Sequence, residues 1–346
     1  MNETRQTSKH RYTELDILRI IALLAVISVH VPQDELFSLG NWHWTYYTIC
    51  GAAVTWQVPI FVMISGRFFL DPMKNITISG LLKKNISRLV IAFLFWDVIY
   101  QTFYILNGTY ASLNAKGILM EAIQGPYHFW FLFMLVCLYM ITPFLRKFTD
   151  DKQLMQIFIL LFFLFQAWSG YGEMLPSIGS TVSALYVKTN FHFALGYSGY
   201  FVLGYYLYKY PLAKKQEFLL YALGILSFAA TISIVVLKQD ASYSKYLMPN
   251  VILEASALYT FFVNRMSKIE YKEKLRTFFA KLAEYSFGIY LIHPLVIDVL
   301  GLFGIDSETI TPMVMVPLLI IGCFMVSYMI VGLIKKIPVP DNKLLL

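Results

Sequence analysis

Charge is what this sequence has least of: Asp, Glu, Lys and Arg make up 14% of its 346 residues, where a soluble domain carries about 25%. With 58% hydrophobic and 17% aromatic residues and a mean hydropathy of +0.61, too little polar surface remains to cover a core in water. A water-soluble fold is excluded, and the solvent is lipid. Cysteine is scarce too. Cys50, Cys137 and Cys323 stand in apolar surroundings, which argues against a disulfide framework and reads as small buried hydrophobes. The sequence has no glycine-rich phosphate loop, no nucleophile elbow and no two histidines spaced i, i+4. A phosphate-loop enzyme, a serine triad and a helical zinc site are therefore not expected, and no metal is. No small-residue cleavage site follows the first apolar run, so that run is expected to stay as a helix. Nor does any linker, repeat or shift in composition mark a second domain.

What is present is a series of apolar runs, each near the about 20 residues needed to cross a bilayer. Ten are expected, near 15–32, 48–70, 88–107, 127–145, 154–169, 190–208, 217–237, 247–264, 281–301 and 312–334. The net charge of +7 is distributed by side. Of the 28 Lys and Arg residues, 22 fall in the amino-terminal tail, 71–88, 146–152, 209–215, 265–281 and the carboxy-terminal tail. Lys and Arg collect on the cytoplasmic side. The basic excess is thus a topology signal, touching membrane lipid and not nucleic acid. The expected fold is an all-α polytopic membrane protein of about ten transmembrane helices with both termini cytoplasmic. It forms a single domain over 1–346, with short tails at 1–14 and 335–346.

Several polar residues lie where lipid would not tolerate them. In "RIIALLAVISVH", Arg19 and His30 are eleven residues apart. At 100° per residue they share one helical face, separated by about 16 Å along the axis. Asp16, three residues before Arg19, is placed to pair with it. Ionisable groups at such depth usually face a protein interior or a wet cavity. "VPIFVMISGRFFL" carries Ser65, Gly66 and Arg67. There Gly66 permits close helix approach, and Ser65 offers an interhelical hydrogen bond. "YHFWFLFML" opens the fourth run with His128 and Trp130. "SFGIYLIHPL" sets Tyr290 and His293 on neighbouring positions of one face, with Pro294 freeing a backbone carbonyl.

Taken in order, "RIIALLAVISVH", "VPIFVMISGRFFL", "HFWFLFMLVCLYMITPFL", "YFVLGYYLY" and "SFGIYLIHPL" resemble the acyltransferase-3 family of integral membrane proteins. The resemblance is greatest to its stand-alone O-acetyltransferases, such as that of enterobacterial common antigen, and to the membrane domain of vancomycin-resistance serine racemases. It implies acyl transfer, usually of acetyl, from cytoplasmic acyl-coenzyme A to a hydroxyl of a cell-surface glycan or its lipid-linked precursor, at the bacterial cytoplasmic membrane. By the same resemblance His30 is catalytic and Arg19 belongs to the coenzyme A end. The family's second basic motif, two arginines three apart, reads "KKNISRLV" here. Arg88 fits, while Asn85 replaces its partner, with Lys83 and Lys84 just before. The expected donor site is Arg19, Arg88 and Lys84. The expected acceptor and cavity residues are Ser65, His128, Trp130, Tyr290 and His293, among which Ser65, Trp130 and Tyr290 are candidate oxyanion donors. A second reading uses the same polar cavity without covalent chemistry, as a transporter or solute-binding module.

Overall fold

The computed structural model describes residues 11–31, 42–172, 174–189 and 196–337. The outer parts of both expected tails, 1–10 and 338–346, and the start of the expected 190–208 span lie outside the described residues. Among the described residues there is no strand, and fourteen α-helices follow one another. The first three are α1 (Thr13–His30), α2 (Trp42–Ala53) and α3 (Gln57–Phe69). A single turn, α4 (Ile78–Gly80), widens into a π-helical turn over Leu81–Ile86 and continues as α5 (Ser87–Leu106). Then come α6 (Ala115–Gln124), a tight turn at Tyr127–Phe129, α7 (Trp130–Leu145), α8 (Lys152–Tyr171) and α9 (Gly179–Lys188). The last five are α10 (Tyr197–Lys209), α11 (Lys214–Lys238), α12 (Pro249–Asn264), α13 (Glu273–Leu302) and α14 (Pro312–Ile334).

Eight helical stretches among the described residues are long and apolar enough to cross a bilayer, and they coincide with eight of the ten expected spans. The other two differ for physical reasons. Helix α1 has 18 residues and carries Glu14, Asp16 and Arg19 in its first half. Helix α10 has only 13 residues, about 20 Å at 1.5 Å per residue against a hydrocarbon core of about 30 Å. Both are interior helices, sheltered by the others.

Helix α1 is the hub of the bundle. It packs most extensively against α13 and α3, and also meets α14, α12 and α2. Leu18, Ala22, Leu23 and Ile27 have no exposed surface. Only an interior position lets one helix bury residues on so many faces. The closest helix pair is α3 with α10, joined by glycines on both sides. A Cβ on Gly66 would lie 1.8 Å from the Phe201 carbonyl oxygen, and one on Gly204 would lie 2.2 Å from that of Met63. Small residues at such crossings let backbones touch. This contact fixes α3, which carries Ser65 and Gln57.

At the outside of the bundle, α14 shows the opposite pattern. Met315, Leu319, Cys323, Ser327 and Val331 recur every four residues and are buried, while Leu318, Ile321, Met325 and Met329 face outward. With no water-compatible face left, the outward stripe is lipid-facing. The turn between α3 and α4 is held by Arg146 just after α7. Its guanidinium donates to the carbonyls of Phe69 (2.9 Å), Asp71 (2.7 Å) and Lys74 (2.8 Å). That clamp orients the π-helical turn and the start of α5.

Candidate active site

One cavity of about 800 Å³ runs through the bundle, within the 300–1,000 Å³ typical of ligand sites. At one end it is lined by Arg19, Asn85, Arg88, Glu284 and Lys335, and at the other by His30, His128, Trp130, Gln57 and Tyr246. Phe61, Ser65, Leu135, Tyr139, Phe287 and Tyr290 form the walls between. The two ends of the α1 stripe thus open into one space, as their shared helical face requires.

The Arg19 end is cationic. Asp16 lies 3.9 Å from Arg19 and 2.6 Å from the Arg11 Nε. The carboxylate's closer partner is Arg11, so the Arg19 guanidinium keeps its charge turned to the cavity. Asp16 itself does not line the cavity. The Arg88 guanidinium sits 5.0 Å from the centre of the Phe287 ring, which holds the fork in place through its face. Lys84 does not line the cavity either. It is exposed on the π-helical turn, whereas Asn85 faces in. Lys335, just past α14, pairs with Glu284 of α13 at 2.8 Å and sits over the Tyr285 ring at 4.0 Å.

The His30 end is aromatic. The His30 ring lies 5.1 Å from Tyr127 and 5.3 Å from His293, centre to centre. His128 is 1% exposed, against Tyr100 (5.4 Å), Tyr290 (5.6 Å) and His293 (5.6 Å). Trp130 stacks on Tyr246 at 5.8 Å. Of the three candidate oxyanion donors, Ser65 gives its hydroxyl hydrogen to the Phe61 carbonyl at 2.8 Å. Tyr290 gives its own to the His128 carbonyl. Both hydrogens are therefore already engaged.

His293 does not line the cavity. It stands behind His30 with no exposed surface, and Pro294 explains how it is held. Proline has no N–H, so the Tyr290 carbonyl four residues earlier loses its helical partner. The His293 Nδ1 takes its place at 2.7 Å. A carbonyl only accepts, so Nδ1 carries the hydrogen and a neutral His293 ring offers Nε2 as an acceptor. The same break is wedged from α5. The Tyr100 hydroxyl donates to the Leu291 carbonyl (2.9 Å) and accepts from the Leu295 amide (3.1 Å).

Sequence reasoning missed Gln57, Tyr139, Tyr246, Glu284 and Lys335. A signal existed for one of them. Phe131, Leu135 and Tyr139 recur every four residues and so share the α7 face that points inward. Tyr246 and Lys335 reach the cavity from just beyond the expected spans, where no periodicity points, and Glu284 from the first turn of the expected 281–301 span. Among the described residues no group of three His, Cys, Asp or Glu is arranged to hold a metal ion.

A family model described as "Acyltransferase domain" matches residues 12–332, from the start of α1 almost to the end of α14. Among curated proteins and solved structures, nothing matches.

Proposed function

The chain belongs to the acyltransferase-3 family of membrane acyltransferases, and from that premise we propose that it moves an acetyl group from cytoplasmic acetyl-coenzyme A to a hydroxyl of a cell-surface glycan or its lipid-linked precursor. In this reading the membrane is the bacterial cytoplasmic membrane and the Arg19 end of the cavity faces the cytosol, which the distribution of basic residues supports. One observation carries the reading: Arg19, Arg88 and His30 line one continuous cavity.

At the cytosolic mouth, Arg19 and Arg88 hold the coenzyme A phosphates, for which the guanidinium fork is suited. Asp16 steadies Arg19 from behind. Lys84, exposed on the π-helical turn, adds a cation at the entrance. Asn85 supplies no charge, and Lys335 lines the same mouth. The pantetheine arm threads between Phe61, Leu135 and Phe287 towards His30, about 16 Å further along α1.

There neutral His30 removes the proton from the acceptor hydroxyl while that oxygen attacks the thioester carbonyl carbon. The carbon–sulfur bond breaks as the ester forms, and the proton passes from His30 to the departing thiolate. Free coenzyme A and an O-acetyl ester result. A positioned base of this kind contributes typically about 10² to 10⁴-fold. The Trp130 indole faces the developing oxyanion, and Ser65 or Tyr290 can join only by releasing a backbone carbonyl. His128 borders the acceptor.

The test is purified protein in liposomes with radiolabelled acetyl-coenzyme A. Binding and His30-dependent thiol release are expected. Neither binding nor release, together with amino-acid flux through the liposomes, would replace the enzyme with a transporter using the same cavity.

A further inference from the structure

A second chamber, of about 220 Å³, lies beside the first at its His30 end. Gln57 and Tyr246 border both spaces and therefore form the partition between them. Val29, next to His30, is part of the chamber wall. The partition is thin and weakly fastened, for the Gln57 Nε2 reaches the Tyr246 hydroxyl only at 3.4 Å.

Among the described residues, two of the chamber's buried polar atoms have no hydrogen-bond partner. Gln57 has no exposed surface and its Oε1 has no hydrogen-bond partner. Thr48 of α2, 3% exposed, likewise has no partner for its hydroxyl oxygen. A buried polar group left unsatisfied costs about 1–3 kcal/mol, so two of them along one small chamber mark a place that a hydroxylated ligand completes. Gly51 of α2 also lines it, and a Cβ there would meet nothing within 4 Å. The space at that wall is open.

Size and charge define the occupant. The volume is below the 300–1,000 Å³ of typical ligand sites, which suits one ring and not an oligosaccharide. At the rim, exposed Lys245 is accompanied by Asp240. The Ser242 amide (2.8 Å) and hydroxyl hold the Asp240 carboxyl below its usual range, with Lys245 adding to the effect. The rim is therefore balanced in charge and does not select an anion.

Resting on the acyl-transfer reading, we propose that this chamber is the acceptor's port. It holds a single uncharged sugar ring, whose hydroxyls satisfy Gln57 and Thr48 and whose reacting hydroxyl passes between Gln57 and Tyr246 to His30. The remainder of the glycan stays outside.

The experiment exploits Gly51. Membranes of producing cells carrying wild-type protein, Gly51→Phe, Gln57→Leu or His30→Ala are given radiolabelled acetyl-coenzyme A, and base-labile label in the glycan fraction is counted. Coenzyme A affinity is measured on the purified proteins as a check of folding. A phenyl ring at position 51 fills the chamber, so label is expected to fall at least about tenfold, equivalent to roughly 1.4 kcal/mol, with coenzyme A affinity kept. Gln57→Leu is expected to behave alike. Wild-type labelling by Gly51→Phe would overturn the port while leaving acyl transfer standing. Should wild-type protein label no better than His30→Ala, the acyl-transfer reading falls and the port with it. As a second readout, Gly51→Cys in a Cys50→Ser background is expected to react with a membrane-impermeant maleimide added outside intact cells. Reaction only from the cytosolic side would also overturn the port.

Discussion

At Arg67 a guanidinium is buried to 1% exposure with Tyr208 at 3.3 Å, Tyr12 at 4.4 Å and Phe68 at 5.0 Å from its centre. Aromatic faces stabilise a desolvated cation by about 2 kcal/mol or more, and here they hold the ends of α1, α3 and α10 together. Tyr208→Leu is expected to lower thermal stability in detergent by about that amount, and Tyr208→Phe much less, because the face and not the hydroxyl carries the contact. An unchanged melting curve for Tyr208→Leu would refute this. The arginine was legible in the sequence as a charge inside an apolar run. Two of its three rings were not, since Tyr12 and Tyr208 come from distant stretches that only packing brings beside Phe68. Arg19 and His30 were legible for the opposite reason, because both lie on one helix and the 100° step alone aligns them. His293 shows where that logic stops: its spacing from Tyr290 placed it on a face, but Pro294 and the Tyr290 carbonyl hold it behind His30 and away from the cavity.

The element on which most geometry depends is the α3–α10 pair. The glycines at 66 and 204 touch backbone, which cannot rotate aside as a side chain can. Gly204→Ala is expected to separate the helices at a cost at or above the upper end of the about 1–3 kcal/mol typical of overpacking. Because α3 carries Gln57 and Ser65, transfer activity should fall along with the melting temperature. A variant of wild-type stability would show that the crossing is looser than described. Sequence alone suggested close approach at Gly66, from a small residue in an apolar helix. The partner glycine and the Arg146 clamp on the α3–α4 turn were not legible, because hydrogen bonds to distant carbonyls leave no periodic trace.

For the whole molecule, hydropathy located eight spans that the structure also has. It is weakest for α1 and α10, whose charge and short length are affordable only inside a bundle. The sidedness rests on the basic residues of alternate loops. Lys272→Cys, just before α13, is therefore expected to react with an impermeant thiol reagent in inverted vesicles and not in intact cells. The reverse pattern would turn the cavity around, placing Arg19 away from the cytosolic donor. The central claim, that one cavity joins a coenzyme A site at Arg19 to a base at His30, is tested most directly by measuring coenzyme A affinity and acetyl transfer on the same purified variants. His30→Ala should bind coenzyme A like wild type and lose transfer by about 10² to 10⁴-fold, while Arg19→Ala should lose affinity. A folded His30→Ala protein that transfers acetyl at the wild-type rate would refute it.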